Sequence, residues 1–456
     1  MTDYDAIIIG TGQAGPSVAR RLADAGMKVA TIERGLVGGT CVNTGCTPTK
    51  TLVASAKAAA IARRATDFGV TIGGAVGVDM TRVKARKDAV VERSRGGLEA
   101  SFDRPNCTLI RGHARFAAAH ELRVGDQTLR AEKIFINVGG RPSTPPLGGL
   151  DQVPYLTSST MMDVDFVPPH LVIIGGSYVG LEFAQMYRRF GSAVTVIEMA
   201  PRLIGREDED VSDAVREILE HEGIEVRLNA KCLSVARSGD GIAATVDCEV
   251  GAPVVHGTHL LVATGRRPNT DDLGLEAAGI AHDGRGFIAV DDQLRTNIPG
   301  IWALGDCNGK GAFTHTAYND FEIAIANLID HDSRRVSDRV ACYGLFIDPP
   351  LGRVGMTEAE ARKSGRKLLL GKRPMIRVAR AIEKGETQGF MKIAIDAATK
   401  EILGAAVLGP AGDEVVHCVL SLIYAKAPYT VMQRAVHIHP TVSELIPTML
   451  GELTPA

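Results

Sequence analysis

Apolar and polar positions follow two rhythms along this chain. Runs such as Ala6-Ile7-Ile8-Ile9 and Leu171-Val172-Ile173-Ile174 are rich in β-branched residues, too short for helices and closed by glycine. They predict buried strands. Ala-rich stretches with helical spacing lie between them, and the alternation predicts α/β layers on parallel sheets. The pattern occurs twice. Residues 5–33 run strand, Gly10-Thr11-Gly12-Gln13-Ala14-Gly15, helix, and a strand ending at Glu33. Residues 171–198 run strand, Gly175-Gly176-Ser177-Tyr178-Val179-Gly180, helix, and a strand ending at Glu198. Each acid follows its first glycine by 23 positions, and a later echo pairs Val138-Gly139-Gly140-Arg141-Pro142 with Thr264-Gly265-Arg266-Arg267-Pro268. Two nucleotide-binding domains of related plan are expected. From about residue 336 the order changes to strand, helix (357–363), strands (389–396 and 402–408) and helix (412–426), which predicts an α+β domain.

The length of 456 residues exceeds one core and predicts roughly two to four domains. A net charge of −2 and no dense Lys/Arg run argue against nucleic-acid partners. No basic leader opens the chain and no apolar run nears the ~20 residues that span a bilayer, so a cytoplasmic, membrane-free protein is expected. Of eight cysteines, Cys107, Cys232, Cys248, Cys307, Cys342 and Cys418 are scattered singly and read as buried structural thiols. Cys41 and Cys46 lie together among glycines. No second Cys/His pair accompanies them, so no metal site is expected.

The first glycine turn carries chemistry. Gly10 allows the tight turn after a strand, Gly12 the approach of backbone to a pyrophosphate, and Gly15 the packing of helix on strand. The helix N-terminus faces phosphates with unpaired N–H groups, and Glu33 is placed to accept from a ribose 2′-OH. In the second turn Ser177 replaces the middle glycine. Glu198 pairs with a 2′-OH and repels a 2′-phosphate, which favours NADH; Arg202 nearby is able to take a phosphate and leaves NADPH open. The run from Gly38 to Lys50 holds both Cys41 and Cys46. Residues five apart on an unbroken helix point about 140° away from each other, so a bridge needs a break, which Gly45 and Pro48 supply. One thiolate would attack a substrate disulfide while the other faces an electron donor, and Lys50 would hold a flavin or lower a thiol pKa. The cluster Arg206 to Asp210 reads as the acidic first turn of a helix. Trp302 reads as core.

Together these motifs resemble the class I flavoprotein disulfide reductases, the family of dihydrolipoamide dehydrogenase, glutathione reductase and mercuric reductase. The resemblance spans nearly the whole chain: both glycine turns, the cysteine run, Thr264-Gly265, Leu304-Gly305-Asp306-Cys307 and His439-Pro440-Thr441-Val442-Ser443-Glu444. It implies two Rossmann-like domains and a C-terminal α+β dimerisation domain. Residues 1–147 and 269–335 would bind FAD, 148–268 NAD(P), and 336–456 a second subunit. FAD would be held by Gly10, Gly12, Gly15, Glu33, Thr40, Lys50, Gly139, Asp306 and Thr314, and NADH by Gly175, Tyr178, Gly180, Glu198 and Gly265. Cys46 would be the thiol nearest the flavin and Cys41 the interchange thiol. Lys50 and Glu182 would pair beside the flavin, with Tyr178 as an aromatic lid, or else a packing residue. Thr314 and His315 would touch FAD through backbone. His439, oriented by Glu444, would be the acid/base for Cys41 across a homodimer interface. His437 would share a strand face with His439 but lacks the proline that follows the family's base.

The expected reaction carries electrons from NADH through FAD to Cys41–Cys46 and on to a dihydrolipoamide-type or small disulfide. Hg(II), quinone or reactive oxidants such as hypothiocyanous acid are the alternatives. The chain ends without a vicinal cysteine pair and starts without a metal-binding domain, so soft-metal delivery is not expected. The segments Arg206 to Asp210 and Asp348-Pro349-Pro350-Leu351 are similar to bacterial stress-response reductases of the family.

Overall fold

A computed structural model describes residues 2–247 and 251–456. Its first sheet has seven strands. Cys107–Arg111, Val29–Glu33, Thr2–Ile9 and Gln127–Ile136 run parallel, and Glu121–Val124 and Ala114–Ala118 extend the sheet antiparallel. Ala6, Ile7 and Ile8 have no exposed surface, as a strand covered on both faces requires, and such burial contributes about 1.5–3 kcal/mol per large side chain. A strand from far along the chain, Ile301–Ala303, completes this sheet by pairing in parallel with residues 134–136.

The second sheet orders Glu225–Arg227, Ala193–Ile197, His170–Ile174 and His259–Val262, all parallel, with the antiparallel strands Lys231–Ser238, Gly241–Asp247 and Val254–Gly257 beside it. The third is a six-stranded antiparallel sheet that runs from Cys342–Leu345 to Thr454–Pro455, with the helix Gly412–Tyr424 packed on it. This is the α/β plan with a C-terminal α+β unit that the pattern predicts. The helix at 357–363 begins on a Thr357 capping box, and strands fill 390–396 and 402–408. Trp302 is half-buried and packs against the core, stacked on Phe135. Among the described residues no helix is long and apolar enough to cross a membrane.

Three expectations need correction. Of the lone cysteines only Cys307 is buried; Cys107, Cys232, Cys342 and Cys418 are half-exposed because they sit at strand ends and helix flanks, and Cys248 lies outside the described residues. The Arg206–Asp210 run is only partly a helix first turn. Glu209 and Asp210 begin the helix Glu209–His221, but Glu207 and Asp208 are buried against Arg353. His437 is not on a strand: residues 435–444 form an irregular loop with a cis His439–Pro440 bond.

Candidate active site

The cysteine run folds as two helices, Gly39–Asn43 and Cys46–Arg63, broken at Thr44 and Gly45. The break turns Cys46 back toward Cys41. Gly45 is required there, since a Cβ would lie 2.8 Å from Thr40 O and 3.1 Å from Cys41 Cα. The two thiols are free and hydrogen-bonded to each other. Cys46 is exposed, but to a cavity rather than to the outer surface, and its Sγ lies 3.1 Å from Thr314 Oγ1. The two sulfurs are unequal. The hydrogen bond from Cys41 lowers Cys46 to about 6, with help from Thr314 and the Lys50 ammonium and against the cost of burial. The same hydrogen bond, with burial and the charge on Cys46, pushes Cys41 well above the ordinary thiol value. The pair thus stores one thiolate, on Cys46, and one proton, on Cys41.

One turn into the helix, Lys50 Nζ donates to both oxygens of buried Glu182 at 2.9 and 2.7 Å. Phe346 holds the pair from the loop that follows the strand Cys342–Leu345. Its N–H donates to Glu182 Oε1 at 3.1 Å, and its ring lies 4.4 Å below Lys50 Nζ.

These groups line a cavity of about 1080 Å³. At its far end Gly10 turns with φ +102°, and a Cβ there would meet Asn137 O at 2.4 Å; a Cβ on Gly15 would meet Gly10 O at 2.3 Å. Asn137 Nδ2 donates to the carbonyls of Gly10 and Gly12 and keeps the turn open. Glu33 closes this end, accepting from Thr11 N–H and Oγ1 at 2.9 and 2.6 Å. Thr40, Gly139, Asp306 and Thr314 also line the cavity, and burial raises the Asp306 carboxyl. Arg266 ties this wall together, donating to Thr40 Oγ1 at 3.4 Å and to Gly140 O, with Asp306 at 3.8 Å. A cavity of this volume, lined by both the glycine cradle and the thiol pair, fits FAD.

The second turn opens beside it. Gly175 has φ +115°, and a Cβ on Gly180 would lie 2.0 Å from Gly175 O. Ser177 is exposed with an ordinary φ of −109°, so the turn needs no glycine there. Glu198 accepts from Gly176 N–H at 2.6 Å and Ala200 N–H at 2.8 Å, which fixes its carboxylate at the strand end. Gly265, φ +121°, follows the strand His259–Val262, and Arg202 is half-buried in the loop after Glu198. Tyr178 reaches the cavity beside Glu182. His315 Nε2 donates to Cys342 O, 2.8 Å away, and burial lowers its pKa.

His439 and Glu444 do not join the cysteines within one chain. His439 Nδ1 lies 3.0 Å from both Glu444 oxygens, but its side chain is 75% exposed and is not part of the cavity wall. Asn137, Arg266, Phe346 and Tyr343 were not singled out from the sequence. The first two adjoin the echoed Gly139 and Gly265 turns, which was a usable signal; the other two carried none.

The family model for pyridine nucleotide-disulphide oxidoreductases matches residues 4–320, and its dimerisation domain matches residues 342–450. The chain is 37% identical to the pyridine nucleotide-disulfide oxidoreductase RclA of Escherichia coli, over 97% of this chain and 98% of that one. It is 34% identical to a dihydrolipoyl dehydrogenase of Thermus scotoductus (97% and 96% covered) and 34% to a mercuric reductase of Streptomyces lividans (98% and 95%). A solved structure of the HOCl-induced flavoprotein disulfide reductase RclA superposes with a TM-score of 0.90 at 36% identity, covering 98% of this chain and 99% of that one.

Proposed function

The chain belongs to the pyridine nucleotide-disulphide oxidoreductase family and is an oxidoreductase of the flavoprotein disulfide reductase type, and from that premise we propose that Cys41 and Cys46 pass electrons from NADH to a disulfide substrate. FAD, when bound, supplies two-electron transfer between the pyridine nucleotide and the thiol pair. Gly10, Gly12, Gly15, Glu33, Thr40, Gly139, Asp306 and Thr314 hold it, with Lys50 beside Cys46. Gly175, Tyr178, Gly180, Glu198 and Gly265 hold the nucleotide. The fixed Glu198 carboxylate supports NADH over NADPH.

Cys41 attacks one substrate sulfur and expels the other half as a thiol. Its raised pKa means that the proton must be removed first, and His439, oriented by Glu444, is the base. Because one chain leaves His439 exposed and away from the cavity, the base comes from a second copy docked through the dimerisation domain. The Cys46 thiolate then attacks Cys41 Sγ, releasing the second half as thiolate and leaving a Cys41–Cys46 disulfide. The observation that carries this reading is the unequal thiol pair on the cavity wall beside Lys50–Glu182.

The substrate is a lipoyl-type or small disulfide. A second reading, a reactive oxidant such as hypothiocyanous acid, is favoured by the likeness to a reductase described as HOCl-induced. Specificity constants for NADH and NADPH oxidation with lipoamide, glutathione disulfide, other small disulfides, Hg(II), quinone and hypothiocyanous acid separate them. A disulfide should lead and be lost in the Cys41→Ser/Cys46→Ser enzyme. Quinone turnover alone, surviving that double substitution, would overturn the thiol assignment.

A further inference from the structure

Lys50 and Lys57 stand seven positions apart on the helix Cys46–Arg63 and so share one face of it. Glu182, Gln185 and Arg189 share a face of the helix Tyr178–Phe190 in the same way. The two faces are joined twice. One join is the Lys50–Glu182 pair. At the other, two turns on, Lys57 and Arg189 meet a single acid, Asp348: Lys57 Nζ donates to Oδ1 at 2.8 Å and Arg189 Nη1 to Oδ2 at 2.7 Å. The backbone of Asp348 is held as well. Its N–H donates to Gln185 Oε1 at 2.7 Å, and its carbonyl accepts from Gln185 Nε2 at 2.9 Å and Arg189 Nη2 at 3.4 Å. Glu222 accepts from both Gln185 and Arg189 at 2.7–2.9 Å, and Glu386 lies 3.7 Å from Lys57.

The side chains of Asp348 and Arg189 are 14% and 11% exposed, so this is not a solvated surface pair. Burial works against the Asp348 charge, but Lys57 and Arg189 outweigh it and hold the carboxyl below its ordinary value. Asp348 follows Phe346 by two residues, and Phe346 donates its N–H to Glu182 and lays its ring against Lys50. What fixes Asp348 therefore fixes the group that holds Lys50 and Glu182. These two act in turn on Cys46. After the hydrogen bond from Cys41, burial and Thr314, the Lys50 charge lowers the Cys46 pKa by more than the Glu182 charge raises it. Asp348, Lys57 and Arg189 are not part of the cavity wall.

We propose that Asp348, clamped between Lys57 and Arg189, is a positioning residue that sets the Lys50–Glu182 pair against Cys46. This rests on the reading that Cys46 is the thiolate of the thiol pair. Position and bare charge have opposite signs here. An anion that acted only through its own field would disfavour the thiolate, so removing it would lower the Cys46 pKa. An anion that keeps Lys50 in place favours the thiolate, so removing it raises that pKa. Lys57→Met releases the same clamp from the other side, and Lys57→Arg keeps it charged.

Alkylation of Cys46 across pH in the reduced holoenzyme, together with amide hydrogen exchange of residues 344–348, reads both ends of the clamp. Asp348→Asn and Lys57→Met should each raise the Cys46 midpoint by roughly 0.5–1 unit, while Lys57→Arg stays with the parent. Exchange should quicken in the first two variants, because the Phe346 and Asp348 amides lose their fixed partners. A lower midpoint in Asp348→Asn would overturn the clamp in favour of a bare charge effect. Unmoved midpoints with a lower Tm or faster exchange would overturn it in favour of a purely structural role. A parent enzyme whose Cys46 shows no midpoint near pH 6 would instead remove the thiolate reading. Exchange would then decide the clamp alone, and equal exchange in parent and variants would overturn it.

Discussion

Cys41 and Cys46 are chemically the same residue and are made different by their neighbours. Cys46 gains a hydrogen bond from Cys41, one at Thr314 and the nearby Lys50 charge, which outweigh its burial; Cys41 keeps the shared proton, and its own burial and the adjacent anion add to that. A lowered pKa means that Cys46 is protonated below about 6 and thiolate above it. Alkylation of the reduced protein by iodoacetamide should accordingly rise through pH ~6 at Cys46, while in His439→Ala the proton on Cys41 is left without its base and Cys41 should react more slowly than in the parent. Thr314→Val removes one stabilising hydrogen bond to a charge, so the Cys46 midpoint should rise by about one to two pH units. A midpoint that stays put would show that Thr314 contributes nothing. Much of this was legible in the sequence, because Cys41, Cys46 and Lys50 are local in the chain. Thr314, Arg266 and Phe346 were harder: they reach the site from more than 200 residues away, and no spacing rule joins them to Cys46.

Between the residues and the fold stand the interrupted helices at 39–63. A continuous helix would point the two thiols apart. The interruption depends on Gly45, whose missing Cβ lets backbone pass Thr40 O. Gly45→Ala forces the segments apart or strains them. It should cost about 1–3 kcal/mol, visible as a lower Tm, and should bring the alkylation rates of the two cysteines closer together. Equal Tm and unchanged thiol inequality would mean that the break is set elsewhere. The need for a break was readable from the spacing and Gly45; Pro48 does not make the break but sits in the first turn of the helix Cys46–Arg63, where a missing N–H costs nothing. The fate of Arg206–Asp210 was not. An acidic run beside a helix start is ordinarily solvated, and only the arrival of Arg353 from the third sheet turns Glu207 and Asp208 inward.

For the whole molecule, that charge cluster joins the second sheet's unit to the third. Arg353 is 2% exposed, and Lys392 shares Asp208 with it and pairs also with Asp210 and Glu358. Arg353→Met would strand Glu207 and Asp208 without their guanidinium and should destabilise the fold by about 3–5 kcal/mol in urea unfolding. A smaller loss would mean that Lys392 compensates. Assembly has its own test. Neither His439→Ala nor Cys41→Ser alone should turn over disulfide. Co-expressed, they should recover about a quarter of parental activity, because each mixed dimer has one intact site. No recovery would place the base within one chain. His439 and Glu444 were legible as a pair from their spacing, but their distance from the cysteines was not, since it depends on how the C-terminal loop folds.

The strand Ile301–Ala303 gives the opening sheet a history as well as a shape. Ile301 and Ala303 have no exposed surface, so residues 134–136 wait for them with an uncovered edge. A ribosome that adds about 5–20 residues per second delivers that strand roughly 15–60 s after starting the chain. Until then the glycine cradle is part of an unfinished sheet, and a nascent chain stalled before residue 300 should be an aggregation-prone client of chaperones rather than an early-folding module.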